Sequence, residues 1–351
     1  MIRALTIIPF KQNSLEVVEC AEPVCGPSEL LVEGLAVGIC GTDQDLAGAV
    51  YGWPVKDRER LILGHESLGR VIDPGDCAGF AAGDLIVGLV RRADPLPCPA
   101  CAHGQPDMCG NGEYTEHGIK DLDGFAASRW TIWAGEAVKL SPSLQSVGVL
   151  LEPTTIVAKA WDQIDAIGRR AWYEPRRVVV TGAGPVGLLA ALLATYRGLE
   201  VHVLDRVVKG PKPRLVRELG AYYHNDDAIE MMRSVKPDII IEATGAPEVA
   251  LAGMENINIG GILCLVGFTP FQQFINVDLG TLCRTSVVNN NAIFGVVSAN
   301  LRHYRNAADD LAKADPGWLE SMITKRLTFK NAMEAFKPHE GDLKVIIELN
   351  D

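Results

Sequence analysis

The stretch Val178-Val179-Val180-Thr181-Gly182-Ala183-Gly184-Pro185-Val186-Gly187 specifies the fold of the second half of this 351-residue chain. Its first four residues predict a buried strand, and the apolar run that begins at Pro185 predicts a helix over 185–197. The glycines suit a tight turn, a close backbone approach to a phosphate and close packing of the helix on the strand. Asp205 follows the next strand, about 20 residues on, as dinucleotide sites require. We therefore predict a nucleotide site at the N-terminus of this helix.

The residues after the second strand bear on which dinucleotide binds. Asp205 can accept hydrogen bonds from the ribose hydroxyls of NAD and would repel the 2′-phosphate of NADP, whereas Arg206 could pair with that phosphate. We predict NAD over NADP, because a carboxylate facing a phosphate is unfavourable. The predicted cofactor-binding residues lie in the turn and at the ends of strands. They are Gly182, Gly184, Pro185, Val186, Gly187, Asp205, Arg206, Thr244, Gly245, Phe268 and Gly295.

Two domains are expected from the length of the chain and from a change in its apolar pattern. Residues 1–150 carry short apolar segments between Gly, Pro and Asp, which predicts a β-rich domain. From about residue 176, strands alternate with helical patterns, which indicates a parallel, doubly wound sheet. Its further strands are expected at 201–204, 239–241, 262–268 and 292–297. A last strand at 344–348 could return to the first domain.

The charge of the chain excludes some classes of partner. The formal net charge is −11 and no Lys/Arg block occurs, so binding to nucleic acid or to an anionic membrane has no electrostatic support. Residues 178–196 lack charge and are long enough to cross a bilayer, but their glycines and proline favour a strand, a turn and a core helix. A cytoplasmic protein is expected, because the apolar run within residues 1–10 is too short for the hydrophobic stretch of a signal peptide. The odd number of cysteines, nine, also favours reduced thiols over disulfides.

A set of residues upstream of the glycine-rich turn has the chemistry of a metal site: Cys40, His65, Glu66 and Glu152. Mixed sulfur, nitrogen and oxygen ligation suits zinc. Three protein ligands and an open position indicate a catalytic ion rather than a structural one. In this interpretation Cys40 and His65 are the firm ligands, and the two glutamates compete for the remaining place.

Zinc held in this way would lower the pKa of a substrate hydroxyl, so that a hydride can leave the same carbon for a nicotinamide ring. Thr42 follows Cys40 by two residues, and its hydroxyl could pass the lost proton towards solvent. We therefore predict catalytic roles for Thr42, Cys40, His65 and Glu66.

Three further cysteines, Cys98, Cys101 and Cys109, have the spacing of a structural zinc site. A closed structural site needs four ligands, and Pro95 stands at the matching interval upstream. Asp94, His103 and Asp107 are conceivable substitutes. The alternative is a degenerated lobe in which the thiols only pack.

These residues together resemble the zinc-dependent medium-chain dehydrogenase/reductase superfamily over essentially the whole chain. Three segments, 110–119, 151–155 and 290–295, look like the archaeal-type glucose (aldose) 1-dehydrogenase branch. The resemblance implies an α/β protein with a β-rich GroES-like catalytic domain at 1–160 and 301–351 and a Rossmann domain at 161–300. It also implies a homo-oligomer, a dimer or a tetramer. In that branch zinc is held by a cysteine, a histidine and one or more glutamates, and the residue that matches Glu116 contacts sugar hydroxyls.

The chain departs from that branch at three positions: Pro95 replaces a lobe cysteine, Ile156 a sugar-binding aspartate and Ser298 an asparagine that often contacts sugar. Asn300 could partly substitute for the last of these. The predicted substrate-binding residues are Glu116, Glu152 and Asn300. Because each missing polar partner changes which hydroxyls are satisfied, these losses could fit a different epimer, a modified sugar or a cyclic polyol.

We predict an NAD(P)- and zinc-dependent oxidoreductase that oxidises an aldose at its anomeric carbon to a lactone. One alternative is a polyol or other secondary-alcohol dehydrogenase that uses the same zinc and the same Thr42. Another is a non-catalytic nucleotide-binding protein, because fold alone does not establish function.

Overall fold

A computed structural model describes residues 1–269 and 273–350, and these form two compact units. Unit 1 comprises Met1–Thr155 and the residues from Ser298 onward, and unit 2 comprises Ile156–Val297. The predicted domain limits, 160 and 300, lie a few residues after these positions. The first limit has no break in the backbone to mark it, because one helix, Leu151–Gly168, runs from unit 1 into unit 2.

Unit 1 is built mainly from strands. Its N-terminal part contains β1 Ile2–Ile7, β2 Glu16–Cys20, β3 Glu29–Ile39, α1 Gly41–Ala47, β4 Leu61–Ile62, β5 Glu66–Asp73, β6 Leu85–Gly88, β7 Arg91–Arg92, α2 Pro99–Ala102, β8 Thr115–His117, β9 Asp121–Leu122, β10 Arg129–Trp133 and β11 Ala137–Lys139. Short 3₁₀ helices occupy Pro106–Met108, Ala134–Glu136, Pro142–Leu144 and Gly148–Leu150. The helix that crosses into unit 2 is α3, Leu151–Gly168.

Unit 2 alternates strands and helices. It contains β12 Arg177–Thr181, α4 Pro185–Tyr196, β13 Glu200–Leu204, α5 Pro211–Glu218, β14 Tyr222–His224, α6 Ala228–Val235, β15 Ile239–Glu242, α7 Pro247–Asn256, β16 Ile262–Leu265, α8 Leu279–Asn289 and β17 Ala292–Gly295. The chain then completes unit 1 with α9 Leu301–Lys313, α10 Pro316–Met322, β18 Ile323–Thr328, the 3₁₀ segment Phe329–Phe336 and β19 Lys344–Glu348.

The main sheet of unit 1 has the strand order β11-β6-β5-β3-β19-β18, and β10 pairs with the N-terminal part of β3. Strand β3 is central because it pairs with β5 on one side and with β10 and β19 on the other. Its side chains alternate between half-buried and buried positions along most of its length. The predicted last strand is confirmed: β19 pairs antiparallel with β3, with Ile346 opposite Gly38. This pairing brings residues from the C-terminal end of the chain beside Cys40.

The core beside that sheet is apolar and fully enclosed. Val37 and Ile39 of β3 pack with Leu5 and Ile7 of β1 and with Phe329, each at most 5% exposed. Burying apolar side chains is favourable by about 25 cal/mol per Å². This packing fixes the C-terminal end of β3, the position from which Cys40 extends.

The described residues of unit 2 form a parallel sheet in the order β14-β13-β12-β15-β16-β17. From β12 the strands continue in chain order on both sides, to β13 and β14 on one side and to β15, β16 and β17 on the other. This is the order of doubly wound folds, so the predicted parallel sheet is confirmed. Two strands are shorter than predicted: β16 ends at Leu265 and β17 ends at Gly295. Three elements of unit 2 were not predicted: β14 and α6 are short, and α8 has only a weak apolar period.

The uncharged segment 178–196 forms β12, a turn and α4, as predicted. Residues 188–194 of α4 are all at most 4% exposed, so the helix is apolar because it lies in the core of unit 2. Among the described residues, no helix is both long and apolar enough to cross a membrane.

The glycine-rich turn has the geometry that its sequence demands. Gly182 has φ +90°, a conformation that favours glycine. A Cβ atom on Gly187 would lie 1.8 Å from the carbonyl oxygen of Gly182, whereas one on Gly184 would meet nothing within 4 Å. The third glycine therefore lets α4 pack on the end of β12.

We predict that Gly187→Ala lowers the midpoint of thermal unfolding by at least about 5 °C, because overpacking at a backbone contact costs about 1–3 kcal/mol. Gly184→Ala is the matched control, since its new methyl group meets open space. Scanning calorimetry or circular dichroism of the two variants measures the difference. Equal midpoints would contradict the packing role of Gly187.

Candidate active site

Cys40 and His65 meet at one end of the main sheet of unit 1. Strand β3 ends at Ile39, so Cys40 begins the turn into α1, and His65 immediately precedes β5. Because β3 and β5 pair antiparallel, with Gly38 opposite Glu66, the two side chains converge. Cys40 Sγ lies 3.1 Å from His65 Nε2. The ligand atoms of Cys40, His65 and Glu66 all lie within 4.8 Å of one another.

Lys344 holds the carboxylate of Glu66. Its Nζ lies 2.7 and 2.6 Å from the two carboxylate oxygens, and both side chains are at most 3% exposed. Gly38 makes room for this pair, since a Cβ atom there would lie 2.0 Å from Glu66 Oε2. Burial disfavours the ammonium ion, but Glu66 more than compensates and raises the pKa of Lys344. Glu66 is thus one member of a buried ion pair as well as a candidate ligand.

The sequence analysis missed Asp43, a fully buried carboxylate next to both Cys40 and His65. Its Oδ2 accepts a hydrogen bond from the backbone N–H of Cys40 at 3.0 Å, and its Oδ1 lies 3.4 Å from His65 Nδ1. A carboxylate behind the second ring nitrogen orients a metal-binding histidine. Burial acts against both charges, yet Asp43 and Cys40 raise the pKa of His65, and His65 lowers that of Asp43. The available signal was an acidic residue three positions after Cys40, which marks a capping box.

Glu152 lies in the first turn of α3 and is not one of the three residues whose ligand atoms cluster. Burial raises the pKa of Glu152 to about 7, and repulsion from Glu66 adds to this shift while His65 and Lys344 oppose it. The structure therefore gives the two predicted glutamates different surroundings. Glu66 is balanced by a cation, whereas Glu152 is a half-buried acid close to the cluster.

Thr42 lies in the first turn of α1, where its backbone N–H points to Cys40 Sγ at 3.3 Å. The hydroxyl of Tyr51, which is partly exposed, lies near the side chain of Thr42: burial raises the pKa of Tyr51, and Thr42 opposes this rise.

Glu116 is held by Arg91 on the neighbouring strand. Both Nε and Nη2 of Arg91 lie 2.9 Å from Glu116 Oε1, and the guanidinium stacks 3.8 Å above the ring of Tyr114. Because both contacts use the same oxygen, Oε2 stays available to accept other hydrogen bonds.

Asn300, a predicted substrate-binding residue, is hydrogen-bonded through both ends of its side-chain amide. Its Oδ1 caps α9 by accepting from the N–H of Arg302 at 3.1 Å, and its Nδ2 donates to Asp107 at 3.0 Å. Both ends of the amide are thus engaged within unit 1. Ser298 has φ +56°, and its buried Oγ has no hydrogen-bond partner among the described residues.

The three sulfurs of Cys98, Cys101 and Cys109 also converge within 4.8 Å. No Asp, Glu or His of the described chain adds a fourth ligand atom to this group. The conceivable substitutes are engaged elsewhere: Asp94 accepts from Leu96 N–H and Asn111, His103 contacts the Pro99 carbonyl and Asp107 bonds Asn300.

The predicted cofactor-binding residues of unit 2 gather at the carboxyl ends of the parallel strands. The Gly182 turn, with Gly184, Pro185, Val186 and Gly187, lies between β12 and α4, and Asp205 and Arg206 follow β13. Thr244 lies beside the turn, since a Cβ on Gly182 would be 3.1 Å from its Cγ2. Gly245, at φ +69°, packs against the backbone of Phe268. Gly295 ends β17.

Glu242, another residue that the sequence analysis missed, supports the carboxyl edge of the parallel sheet. Its buried carboxylate accepts from Thr181 Oγ1 at 3.1 Å, from Thr244 N–H at 2.8 Å and from Gly245 N–H at 3.1 Å. It therefore joins β12 to the loop after β15. Nothing in its local sequence distinguishes it from a surface glutamate at the end of a strand.

Two family descriptions cover most of the chain. Residues 145–349 match "Glucose dehydrogenase C-terminus" and residues 26–142 match "Alcohol dehydrogenase GroES-like domain". A glucose 1-dehydrogenase of Methanocella arvoryzae is 38% identical over 99% of each chain, and one of Thermoproteus tenax is 36% identical over the same share. The chain belongs to the glucose dehydrogenase family. This confirms the resemblance to zinc-dependent medium-chain dehydrogenases, and the chain is an oxidoreductase that acts on CH–OH groups.

A solved structure of the same family has the same fold. Glucose dehydrogenase of Haloferax mediterranei, in complex with NADP, zinc and gluconolactone, is 27% identical and superposes with a TM-score of 0.92 over 99% of both chains. The predicted α/β fold, GroES-like and Rossmann, is therefore confirmed. The prediction that NAD is preferred to NADP gains no support, since that family member holds NADP.

We predict that Lys344→Met lowers the midpoint of thermal unfolding by at least about 5 °C, because removing one partner of a buried ion pair costs about 3–5 kcal/mol. Lys337→Met is the matched control, since Lys337 pairs with Glu334 at the surface. Calorimetry of both variants tests this, and Lys344→Arg should retain more stability than Lys344→Met. Equal midpoints for the two methionine variants would contradict the prediction.

Proposed function

We propose that this protein oxidises an aldose at the anomeric carbon, transfers a hydride to NAD(P) and releases a lactone. The observation that carries the proposal is the cluster of Cys40, His65 and Glu66 in a chain whose other unit has the dinucleotide turn. The relatives named above are glucose 1-dehydrogenases, and the Haloferax enzyme holds a sugar lactone. A pyranose is the substrate class that these observations support.

The donor set of the cluster fits zinc: one thiol, one imidazole and a carboxylate lie close together, and Asp43 backs the imidazole. We assign Cys40 and His65 as ligands, with Glu66 or Glu152 in the remaining place. When bound, zinc supplies a Lewis acid that lowers the pKa of the substrate hydroxyl, and the dinucleotide accepts the hydride. Asp43 and Lys344 keep His65 and Glu66 oriented.

Thr42 and Tyr51 support a route for the proton that the substrate hydroxyl loses. Thr42 Oγ1 can accept that proton while it donates its own to Tyr51, because a hydroxyl group both donates and accepts. The partly exposed Tyr51 can exchange protons with water. We assign general acid–base transfer to this pair.

Glu116 is our candidate for recognition of sugar hydroxyls. Arg91 fixes the carboxylate through Oε1, so Oε2 can accept from a hydroxyl, and an analogue that lacks this hydroxyl is rejected. We assign Asn300 to the framework instead, because a contact with substrate would require it to give up its bonds to Arg302 or Asp107.

For the lobe we propose a second, weaker zinc site of three sulfur ligands, Cys98, Cys101 and Cys109. The free thiols of the chain fit a reducing compartment such as the cytoplasm.

We expect Cys40→Ala to abolish turnover and to lower the zinc content by about one ion per chain, while NAD(P) binding is retained, since it depends on unit 2. Elemental analysis, dinucleotide absorbance and calorimetry measure the three properties. Cys25→Ala is the matched control, because Cys25 is an exposed free thiol. Full activity in Cys40→Ala would overturn the assignment of the catalytic zinc.

The same absorbance assay, run on a panel of aldoses and polyols, tests the substrate class. Turnover of aldoses with formation of a lactone supports the proposal. Turnover of sorbitol or threonine without any aldose would favour the secondary-alcohol alternative.

A second copy of the chain is the partner that we propose for one face of unit 2. Strand β17 ends the sheet of the described residues, and no residue of α8 beside it is buried. Val287 and Val288 are 77% and 66% exposed, and α8 has one charged residue in a chain of net charge −11. An unpaired edge strand with an exposed apolar helix suits a two-fold contact without charge repulsion.

We predict that the double substitution Val287→Asp with Val288→Asp yields monomers where the wild type is a dimer or a larger assembly. Two acidic groups on each copy would face each other across the two-fold axis. Light scattering after size-exclusion chromatography measures the mass. Val24→Asp, at another exposed valine, serves as the control. A wild-type monomer, or an unchanged mass in the double variant, would contradict the prediction.

A further inference from the structure

The carboxylate of Asp205, at the end of β13, is already engaged by the protein itself. It accepts from Ala183 N–H in the glycine-rich turn at 2.7 Å and from Val207 N–H at 3.0 Å, and it pairs with Lys212 Nζ at 2.9 Å. A carboxylate offers about four acceptor positions. About one acceptor position therefore remains for a ribose hydroxyl. An aspartate without these three protein partners would offer more.

The corner formed by Asp205, the loop after it and the first turn of α5 has a different charge from the one that Asp205 alone would give. Lys212 lies in the first turn of α5, with 25% of its side chain exposed, and Arg206 and Lys209 are exposed on the loop between. The corner thus holds one carboxylate and three cations. Burial acts to raise the pKa of Asp205, but Val207 N–H, Lys212 and Ala183 N–H lower it, so the carboxylate is ionised and paired.

An aspartate at this position selects NAD because its charge repels the 2′-phosphate of NADP. That argument requires a carboxylate without a counter-ion. Here the counter-ion is part of the protein and comes from the helix after β13. Arg206 and Lys209 can then approach a 2′-phosphate without an opposing field.

We propose that Lys212 neutralises Asp205 and thereby makes the ribose pocket accept NADP as well as NAD. The inference rests on the proposed dinucleotide-dependent function, and it assigns Lys212, a residue of unit 2, as the determinant of cofactor range. The effect acts on the adenosine end of the cofactor, so it is measurable without turnover.

Calorimetric titration of the zinc-loaded protein with 5′-AMP and 2′,5′-ADP, the adenosine halves of NAD and NADP, tests the proposal. We expect the two wild-type Kd values to agree within about tenfold. Lys212→Met should weaken 2′,5′-ADP by about tenfold or more and 5′-AMP by less than about twofold, since an unpaired carboxylate then faces the phosphate. The ratio of kcat/KM for NADP and NAD should change in the same direction.

Two further variants separate the ion pair from net charge. Arg214→Met removes a cation from the same helix, but Arg214 pairs with Glu218, so the ratio of the two Kd values should stay unchanged. Asp205→Asn keeps the shape of the side chain and frees Lys212, so 2′,5′-ADP should bind more tightly relative to 5′-AMP. Combining Asp205→Asn with Lys212→Met should bring the ratio back towards that of the wild type.

The outcomes distinguish this proposal from the proposed function. A wild type that binds 5′-AMP about 100-fold more tightly than 2′,5′-ADP would overturn the role of Lys212 and leave the dinucleotide site intact. An unchanged ratio in Lys212→Met, with 5′-AMP still bound, would do the same. Failure of the wild type to bind either nucleotide would overturn the dinucleotide site itself, and the proposal with it.

Discussion

The buried ion pair between Lys344 and Glu66 is the interaction on which the architecture of unit 1 depends. It links β19, at the C-terminal end of the chain, to β5 across the end of β3, and Lys344 Nζ also lies 3.4 Å from the Ile39 carbonyl. Both charges are almost fully removed from water, so loss of either leaves the other uncompensated. A shift of β19 by one residue would turn Lys344 to the opposite face. The pair thus fixes the register of β19 on β3, beside the end of β3 from which Cys40 extends.

Asp43 both caps the N-terminus of α1 and lies beside the imidazole of His65, two roles that separate residues could fill. One carboxylate oxygen binds the backbone of Cys40 and thereby starts the helix, and the other lies behind the His65 ring. The start of the helix and the direction of the imidazole are therefore a single constraint. This coupling explains how a fully buried carboxylate is retained beside the Cys40 thiol.

The sequence could predict those parts of the molecule that depend on neighbours along the chain. The turn at Gly182 and the strand–helix alternation of unit 2 follow from local spacing, and Cys40 with His65 from ligand chemistry. It could not predict partners that only the fold brings together. Lys344 is 278 positions from Glu66. Likewise, no local pattern reveals that the amide of Asn300, a predicted substrate-binding residue, bonds Arg302 of α9 and Asp107.

The acidic residues of the two units show why the residue type, Asp or Glu, does not by itself assign a role to a carboxylate. Glu66 is balanced by Lys344, Glu116 by Arg91 and Asp205 by Lys212, whereas Glu152 is a half-buried acid whose pKa is raised to about 7. A carboxylate with a fixed cation holds its geometry and presents little net charge to a ligand. One without such a cation can change protonation as its surroundings change. In this acidic chain, the role of each carboxylate therefore depends on its partner rather than on its sequence motif. The partner determines whether the carboxylate supports the framework, recognises a ligand or exchanges a proton.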